Sequence, residues 1–271
     1  MDTLPTVLPN LLIAGAQKCG TTWLHRMLRH HPDVFMTQQK ETGFFSNPAN
    51  HGDPAALAAY EQHFAKAGDA RWRGESTPHY FWHRGSRLSS PPVRPIEPAD
   101  FVAEVLGNEL ERVLILLRDP VSRAVSAYYH NNARGRVLAG QGIFDCPPSM
   151  GLVDLGLYSV HWRHWASALG KERLRVYLFD DLAAKPREFL TTVMVDLGLH
   201  VAPEVLDSAR PDRTIHARKV PHVTPNLPVA DLDRLLKLSE PEIAWVERHT
   251  GRSLPAWRDR DALVSALADP S

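Results

Sequence analysis

Short runs of apolar residues alternate along the chain with longer segments whose apolar residues recur at helical spacing. The first run covers residues 11–14 and stops at Gly15, as a buried parallel strand does. From residue 21 onward one helical face is apolar, which predicts a helix that ends before Pro32. The side chains on that face are Trp23, Leu24, Met27 and Leu28. The chain therefore opens with a strand, a glycine-containing loop and a helix.

The same pattern recurs twice further along the chain. A second apolar run at 113–117 is followed by a short turn and a predicted helix over 122–131. A third run at 174–179 is followed by a predicted helix over 186–198, which has proline near its start and glycine at its end. Three strand–loop–helix units in succession indicate that the strands lie parallel in one sheet.

Weaker patterns predict a short strand at 71–75 and two or three helices between 228 and 267. The whole order indicates an α/β fold with a P-loop-type central parallel sheet flanked by helices on both faces. We expect one domain over residues 1–271, with a core over about 10–200 and a C-terminal helical part over about 201–271. Ligands of such sheets bind at the carboxyl ends of the strands, so functional residues are expected there.

Acidic and basic residues are equal in number, 31 of each, so the formal net charge is zero. That balance argues against a general nucleic-acid binder, whose affinity depends on excess positive charge. Cys19 and Cys146 are too few for a disulfide framework, and the 14 histidines show no metal-binding spacing. The sequence also lacks a long apolar run and a leader-like N-terminus. It therefore predicts a cytoplasmic protein with no membrane span and no metal.

The loop between the first strand and helix has the glycine spacing of a phosphate-binding loop. Gly15 and Gly20 match G-x-x-x-x-G-K-[ST], in which backbone N–H groups and the following helix N-terminus bind phosphate oxygens. The usual lysine position holds Thr21, and the lysine stands inside the loop as Lys18. Lys18 is thus expected to lie nearer to the first phosphate, and to any group bonded to it, than the lysine of the usual motif does. The alternative is a tight turn with an incidental lysine.

A second candidate anion site follows the run at 113–117. In nucleotide triphosphatases such a strand ends in an acidic residue that positions magnesium, whereas this one is followed by Arg118. A guanidinium there, with the Ser126 hydroxyl on the next helix, suits a second phosphate. Asp119 is expected to cap that helix. Two anion sites without an evident metal ligand predict a ligand with two well-separated phosphates.

Four segments occur in one order within about residues 10–200. They read QKCGTTWL at 17–24, KETGFF at 40–45, GESTPHYF at 74–81 and RDPVSRAVS at 118–126. In this combination the sequence resembles the sulfotransferases that use 3′-phosphoadenosine 5′-phosphosulfate (PAPS), and more narrowly the heparan-sulfate-type branch with its bacterial relatives. The resemblance implies PAPS as the donor, the bisphosphate PAP as the product, and no metal.

The resemblance also implies which residues bind the donor. Its 5′-phosphosulfate would be held by the first loop, namely Lys18, Cys19, Gly20, Thr21, Thr22 and Trp23. Lys18 would also be catalytic, because it would stabilise charge on the leaving phosphate. Arg118 and Ser126 would bind the 3′-phosphate, and Arg218, in a late basic stretch, would close over the donor.

Glu41 is the candidate general base for the acceptor hydroxyl, because its K-E-x-x-F-F setting matches the catalytic glutamate of the family. The two phenylalanines of that motif are expected to desolvate it partly. One alternative is a surface glutamate paired with Lys40. Another is a histidine, His79 or His130, that replaces or assists Glu41 as the base.

Acceptor contacts are expected from side chains near these motifs, namely His79, Tyr80, His130 and Tyr158. An aromatic cluster at 72–82 predicts either an aromatic acceptor pocket or core packing. Long loops at 47–58, 83–98 and 133–150 are expected to shape the acceptor site.

The sequence thus predicts a sulfotransferase acting on a hydroxyl, or alternatively an amine, of a small molecule or natural product of secondary metabolism. A glycan or glycolipid acceptor is the main alternative, and an atypical P-loop kinase and an inactive binding relative are remote ones. Zero net charge weighs against a strongly sulfated polymer, which would favour a broad basic groove.

The chain has no cysteine after Cys146 for the late disulfide of the animal enzymes, and Ser76 stands where the family often has a lysine. These departures favour a bacterial enzyme, and the oligomeric state is left open.

Overall fold

The computed structural model describes residues 8–84, 96–212 and 221–268. They form two compact units: a sheet unit of residues 8–83, 96–116 and 164–212, and a helical unit of residue 84 with 117–163 and 221–268. The prediction of one domain over 1–271 stays a prediction.

A five-stranded sheet forms the centre of the sheet unit. Its strands are β1 (Leu11–Gly15), β2 (Val34–Met36), β3 (Trp72–Ser76), β4 (Arg112–Leu117) and β5 (Leu174–Leu178). They lie in the order β2-β3-β1-β4-β5, and the pairs β2–β3, β3–β1 and β1–β4 are parallel. All residues of β1 are buried, which explains its continuous apolar character.

Ten α-helices occur within the described residues. They are α1 (Thr21–Leu28), α2 (Pro54–Glu61), α3 (Pro98–Leu106), α4 (Pro120–Asn132), α5 (Tyr158–Leu169), α6 (Phe179–Ala184), α7 (Pro186–Asp196), α8 (Pro203–Ala209), α9 (Val229–Thr250) and α10 (Arg260–Ala268). None of these ten has the length and apolar character that a membrane span needs.

The α/β class and the parallel sheet with flanking helices are confirmed. The first two predicted strand–loop–helix units are present, and in the third α6 takes the place of the loop between β5 and α7. The apolar pattern did not predict β2, α3, α5 or α6, and α2 begins inside the segment 47–58, which was expected to be a loop. β2 has three residues and α6 follows β5 without a break, so neither leaves a periodic pattern. α2 begins with an Asp-Pro pair, in which Asp53 accepts the N–H of Ala55 over 2.9 Å.

Candidate active site

The loop between β1 and α1 has the backbone geometry of an anion site. Gly20 is the N-cap residue of α1 and has a φ of 93°, and Lys18 also lies in the left-handed region with a φ of 69°. A glycine N-cap has no side chain with which to bond the N–H groups that start the helix. Those groups and the helix dipole attract anions, and the Lys18 side chain adds a full positive charge.

Gly20 is required at its position for two physical reasons. A Cβ atom there would lie 2.5 Å from Cδ2 of Leu182 and 3.3 Å from Cδ2 of Phe179, so the loop packs tightly against α6. Its positive φ is also one that side chains rarely adopt. The glycine spacing recognised in the sequence therefore reflects close packing as well as turn geometry.

The other predicted donor-binding residues of this loop differ in exposure. The buried ones are Cys19 and Thr21, and the half-buried ones are Lys18 and Thr22. Trp23 is 8% exposed, and its indole N–H donates to the carbonyl oxygen of Pro211 over 3.1 Å. The Trp23 ring is thus part of the core, and only its backbone N–H at the helix start suits a donor contact.

His79 lies against the same loop. Its Nε2 atom is 3.3 Å from Nε2 of Gln17, whose Oε1 atom is buried without a hydrogen-bond partner among the described residues. The nearby N–H of Phe81 donates to the carbonyl oxygen of Ala14 over 2.9 Å, which ties the turn after β3 to the end of β1. The structure therefore brings one candidate histidine to the phosphate-type loop.

Glu41 lies at the carboxyl end of β3. Its N–H donates to the carbonyl oxygen of Ser76 over 3.0 Å. Its side chain is 51% exposed, and Oε1 accepts a hydrogen bond from Nζ of Lys40 over 2.6 Å. The ion pair with Lys40 that the alternative expects is therefore present, and the role of Glu41 as a base stays a prediction. Because an exposed ion pair is weak, the Glu41 carboxylate can exchange Lys40 for another hydrogen-bond donor.

Phe44 and Phe45 belong to the core, and the expectation that they partly desolvate Glu41 stays a prediction. The Phe44 ring stacks on Tyr60 with centroids 4.4 Å apart, and both phenylalanine rings lie 5.3 Å from Phe101. The two side chains are at most 5% exposed, whereas that of Glu41 is half exposed. Helical and strand patterns do not tell which side of a short loop its aromatic rings face.

The aromatic cluster at 72–82 is also core rather than an acceptor pocket. Its large side chains are at most 2% exposed, namely Trp72, Tyr80, Phe81 and Trp82. The Tyr80 hydroxyl donates to Oε1 of the buried Glu75 over 2.7 Å. The expected acceptor contact of Tyr80 is therefore wrong, because burial keeps its hydroxyl from any ligand.

In the helical unit, Asp119 caps α4 as predicted. Its two carboxylate oxygens accept the N–H groups of Val121 and Ser122 over 3.0 and 2.9 Å. Burial raises the pKa of Asp119, although these hydrogen bonds oppose that shift. The cap fixes the start of α4 directly after Arg118.

α4 presents candidate ligand residues on one face. Ser126 and His130 are four residues apart on this helix, so their side chains lie on the same side. Arg118, Ser126 and His130 are all half-buried, an exposure that leaves each able to contact a ligand. Arg218, which is expected to close over the donor, lies outside the described residues.

Tyr158 has a different position from the one expected. It is fully buried, and its hydroxyl donates to the carbonyl oxygen of Arg118 over 2.7 Å. Its expected acceptor contact is therefore wrong, because the hydroxyl is used to hold the backbone of the candidate phosphate-binding arginine. No spacing rule could have found this pair, since the two residues are 40 positions apart.

The family comparisons agree with the motifs. The model of the sulfotransferase domain family matches residues 8–224. Human heparan sulfate glucosamine 3-O-sulfotransferase 3B1 is 28% identical over 200 residues, which cover 71% of this chain and 46% of that protein. The membrane-associated sulfotransferase kil1 of Dictyostelium discoideum is 30% identical over 122 residues, or 45% of this chain and 23% of that protein. The chain thus spans less than half the length of these curated relatives.

Solved structures share the fold. A sulfotransferase from Alicyclobacillus acidocaldarius matches with a TM-score of 0.68 and 25% identity, covering 93% of this chain and 99% of that one. A sulfotransferase domain from the curacin biosynthetic pathway has a TM-score of 0.52 and 16% identity over 77% of this chain and 79% of its own, which shows the fold alone. With its family match over most of the sequence, the chain belongs to the sulfotransferase domain family.

Proposed function

We propose that the protein transfers a sulfuryl group from PAPS to an acceptor hydroxyl. The observation that carries this proposal is the phosphate-type loop, whose lysine stands inside the loop at Lys18 beside the glycine-capped start of α1. A P-loop kinase would instead have a lysine in place of Thr21 and an acidic residue in place of Arg118.

The residues present fit this donor. In the sheet unit, Lys18 and the N–H groups from Cys19 to Trp23 suit the 5′-phosphosulfate, with Gly20 shaping the loop. In the helical unit, Arg118 and Ser126 offer a guanidinium and a hydroxyl for the 3′-phosphate. The family resemblance adds Arg218 as a residue that closes over the donor, and the proposal requires no metal.

Each side chain has a distinct task in the proposed reaction. Bound PAPS supplies the sulfuryl group that the acceptor oxygen takes by in-line displacement. Lys18 and the helix-start N–H groups stabilise the negative charge that develops on the leaving 5′-phosphate of PAP, as an oxyanion hole does. Glu41 accepts the proton of the acceptor hydroxyl at its carboxylate. His79, which lies against the same loop, is the alternative base, and His130 on α4 is a second one.

The proposed acceptor is a small hydroxyl compound of secondary metabolism, with an amine as the alternative. The chain has zero net charge, and the end of β3 carries the uncharged, buried Ser76. Both features favour a neutral acceptor over a sulfated polymer. A glycan remains the second candidate, because the curated relatives are named for acting on heparan sulfate. A cytoplasmic location is also proposed, since two cysteines are too few for a disulfide framework.

Calorimetry tests the donor class. Purified protein is titrated with PAP without metal, and separately with ATP and magnesium. We expect PAP to bind without metal, and ATP with magnesium not to bind. Binding of ATP with magnesium, but not of PAP, would favour a kinase. Binding of PAP without any release of sulfate from labelled PAPS would favour an inactive binding relative.

Substitutions then test the two catalytic assignments. We expect Lys18→Ala to lower turnover of PAPS about 100- to 1000-fold and Glu41→Gln to lower it about 100- to 10,000-fold. Lys185→Ala is the control, because Lys185 is an exposed lysine that pairs with Glu188 on the surface. Full activity of a well-folded Lys18→Ala protein would refute the mechanism.

A panel of neutral phenols and a desulfated heparan oligosaccharide distinguishes the two acceptor classes.

A further inference from the structure

Glu75 on β3 is a fully buried carboxylate that four hydroxyl groups surround. Oε1 accepts hydrogen bonds from Thr42 at 3.0 Å, Tyr60 at 3.1 Å and Tyr80 at 2.7 Å, and Oε2 accepts one from Thr77 at 2.8 Å. Burial raises the pKa of Glu75, and the four hydroxyl donors oppose this shift. Such a complete set of partners is what a buried carboxylate requires.

Three of these four donors connect Glu75 to residues 41–45, called the base segment because it carries Glu41. Thr42 is itself part of the segment. The hydroxyl oxygen of Thr77 accepts the N–H of Gly43, and that of Tyr80 accepts the N–H of Phe45, each over 3.3 Å. The carboxylate therefore anchors the base segment directly at one residue and indirectly at two more.

The base segment needs such anchoring because its backbone is strained. Glu41 has a φ of 63°, a left-handed conformation that a residue with a side chain adopts only where its surroundings enforce it. The Glu41 carboxylate is half exposed, and its Oε1 atom accepts a hydrogen bond from Nζ of the adjacent Lys40. The left-handed backbone at Glu41 thus sets the direction in which its side chain leaves the base segment.

We infer that Glu75 is a positioning residue for sulfuryl transfer: through Thr42, Thr77 and Tyr80 it holds the base segment so that Glu41 faces the acceptor. This inference rests on the proposed function, in which Glu41 is the base. Glu75 itself touches neither donor nor acceptor, because it is completely buried. It acts through the hydroxyl groups that link it to the base segment.

Two donors to the same carboxylate oxygen separate positioning from ordinary core stability. Thr42 and Tyr60 both bond to Oε1, over 3.0 and 3.1 Å. Thr42 belongs to the base segment, whereas Tyr60 lies on α2 and is not part of that segment. Removing either hydroxyl takes one hydrogen bond from Glu75, but only the loss at Thr42 also releases the backbone next to Glu41.

The experiment compares Thr42→Val, Thr42→Ser and Tyr60→Phe in the full chain. Turnover is followed as sulfate release from labelled PAPS with water as the acceptor, so that no acceptor needs to be known. We expect Thr42→Val to lower kcat about tenfold to a hundredfold, with KM for PAPS and the Kd of PAP within about twofold of the wild type. Thr42→Ser keeps the hydroxyl and restores kcat, and Tyr60→Phe lowers Tm but leaves kcat within about twofold.

Wild-type kcat in Thr42→Val, or an equal loss of kcat in Tyr60→Phe, would overturn the positioning role. Glu41→Gln in the same assay keeps this result separate from the proposed function. If Glu41→Gln is inactive and Thr42→Val is fully active, only the role of Glu75 is wrong. If Glu41→Gln retains wild-type turnover, the assignment of the base is wrong and the positioning role fails with it. If the wild-type protein binds no PAP, the donor class itself is wrong.

Discussion

The Tyr158 hydroxyl donates to the carbonyl oxygen of Arg118 over 2.7 Å, and this bond fixes the backbone of the residue that precedes the cap of α4. Arg118 is the proposed 3′-phosphate ligand, and its carbonyl is held by a side chain that is itself fully buried. A buried partner moves little, so the guanidinium starts from a fixed backbone position. Affinity for the bisphosphate is therefore expected to depend on a residue that contacts no phosphate.

Tyr158→Phe tests this dependence. Loss of one hydrogen bond of about 1 kcal/mol is expected to weaken PAP binding about fivefold, measured by calorimetry. Tyr128→Phe is the matched control, since the Tyr128 hydroxyl bonds the backbone of Gln141 over 2.9 Å and of Asn226 over 3.0 Å instead. The control is expected to lower Tm similarly without changing the Kd of PAP. An unchanged Kd in Tyr158→Phe would show that the bond does not set the position of Arg118.

The parts of the site that the sequence predicted are contiguous in the chain. The phosphate-type loop lies wholly between β1 and α1, so its glycines and Lys18 form a recognisable motif. Asp119 likewise caps a helix that begins at the next residue, a local hydrogen-bonding preference that sequence reveals. Strand ends and helix starts follow from apolar periodicity, which explains why three successive strand–helix units were predicted.

The parts that were missed depend on contacts between distant residues. Tyr80 and Tyr158 were expected at the acceptor, yet each hydroxyl has a buried partner, Glu75 or the Arg118 carbonyl. Tyrosine is amphipathic, so its sequence position does not tell whether its hydroxyl meets a ligand or a core acceptor. The four donors around Glu75 span residues 42–80, and no short motif joins them.

Gly20→Ala is expected to disturb the phosphate-type loop more than strain alone would. Its new Cβ would lie 2.5 Å from Leu182, whereas a Cβ at Gly52, which has a similar left-handed φ of 72°, would meet nothing within 4 Å. Gly52→Ala thus reports the cost of strain, about 1–2 kcal/mol. In chemical denaturation we expect the free energy of unfolding to fall by at least about 1 kcal/mol more in Gly20→Ala than in Gly52→Ala. Gly20→Ala should weaken PAP binding as well. Equal stability losses in the two variants would show that the loop relaxes away from Leu182.

Asp119→Ala is expected to weaken PAP binding by loosening the start of α4. Helix caps contribute about 0.5–2 kcal/mol, and Asp119 accepts two N–H groups at a buried position. Asp53→Ala removes a comparable cap from α2, where Asp53 accepts the N–H of Ala55 over 2.9 Å. Both variants should lower Tm, but only Asp119→Ala should raise the Kd of PAP, which calorimetry measures. A similar rise in Asp53→Ala would mean that lost stability, rather than the geometry of α4, decides the affinity.

His25 on α1 is expected to make the protein less stable in mild acid. Its side chain is 2% exposed, and burial, helped by the nearby charges of Lys40, Arg29 and Arg26, lowers its pKa to about 4. The unfolded chain, with a histidine pKa of about 6.5, therefore binds the proton more tightly than the folded chain.

The contribution of His25 to stability is thus fully present above about pH 6.5 and is lost as the pH falls towards 4. At pH 5 this loss amounts to about 2 kcal/mol. His25→Gln removes the titrating group, so between pH 7 and pH 5 the variant should lose about 2 kcal/mol less than the wild type in urea denaturation. The carboxylates titrate in both proteins, so their contribution to the pH dependence of stability cancels in the comparison. Parallel stability losses across this pH range would show that His25 becomes protonated within the folded chain near its ordinary pKa.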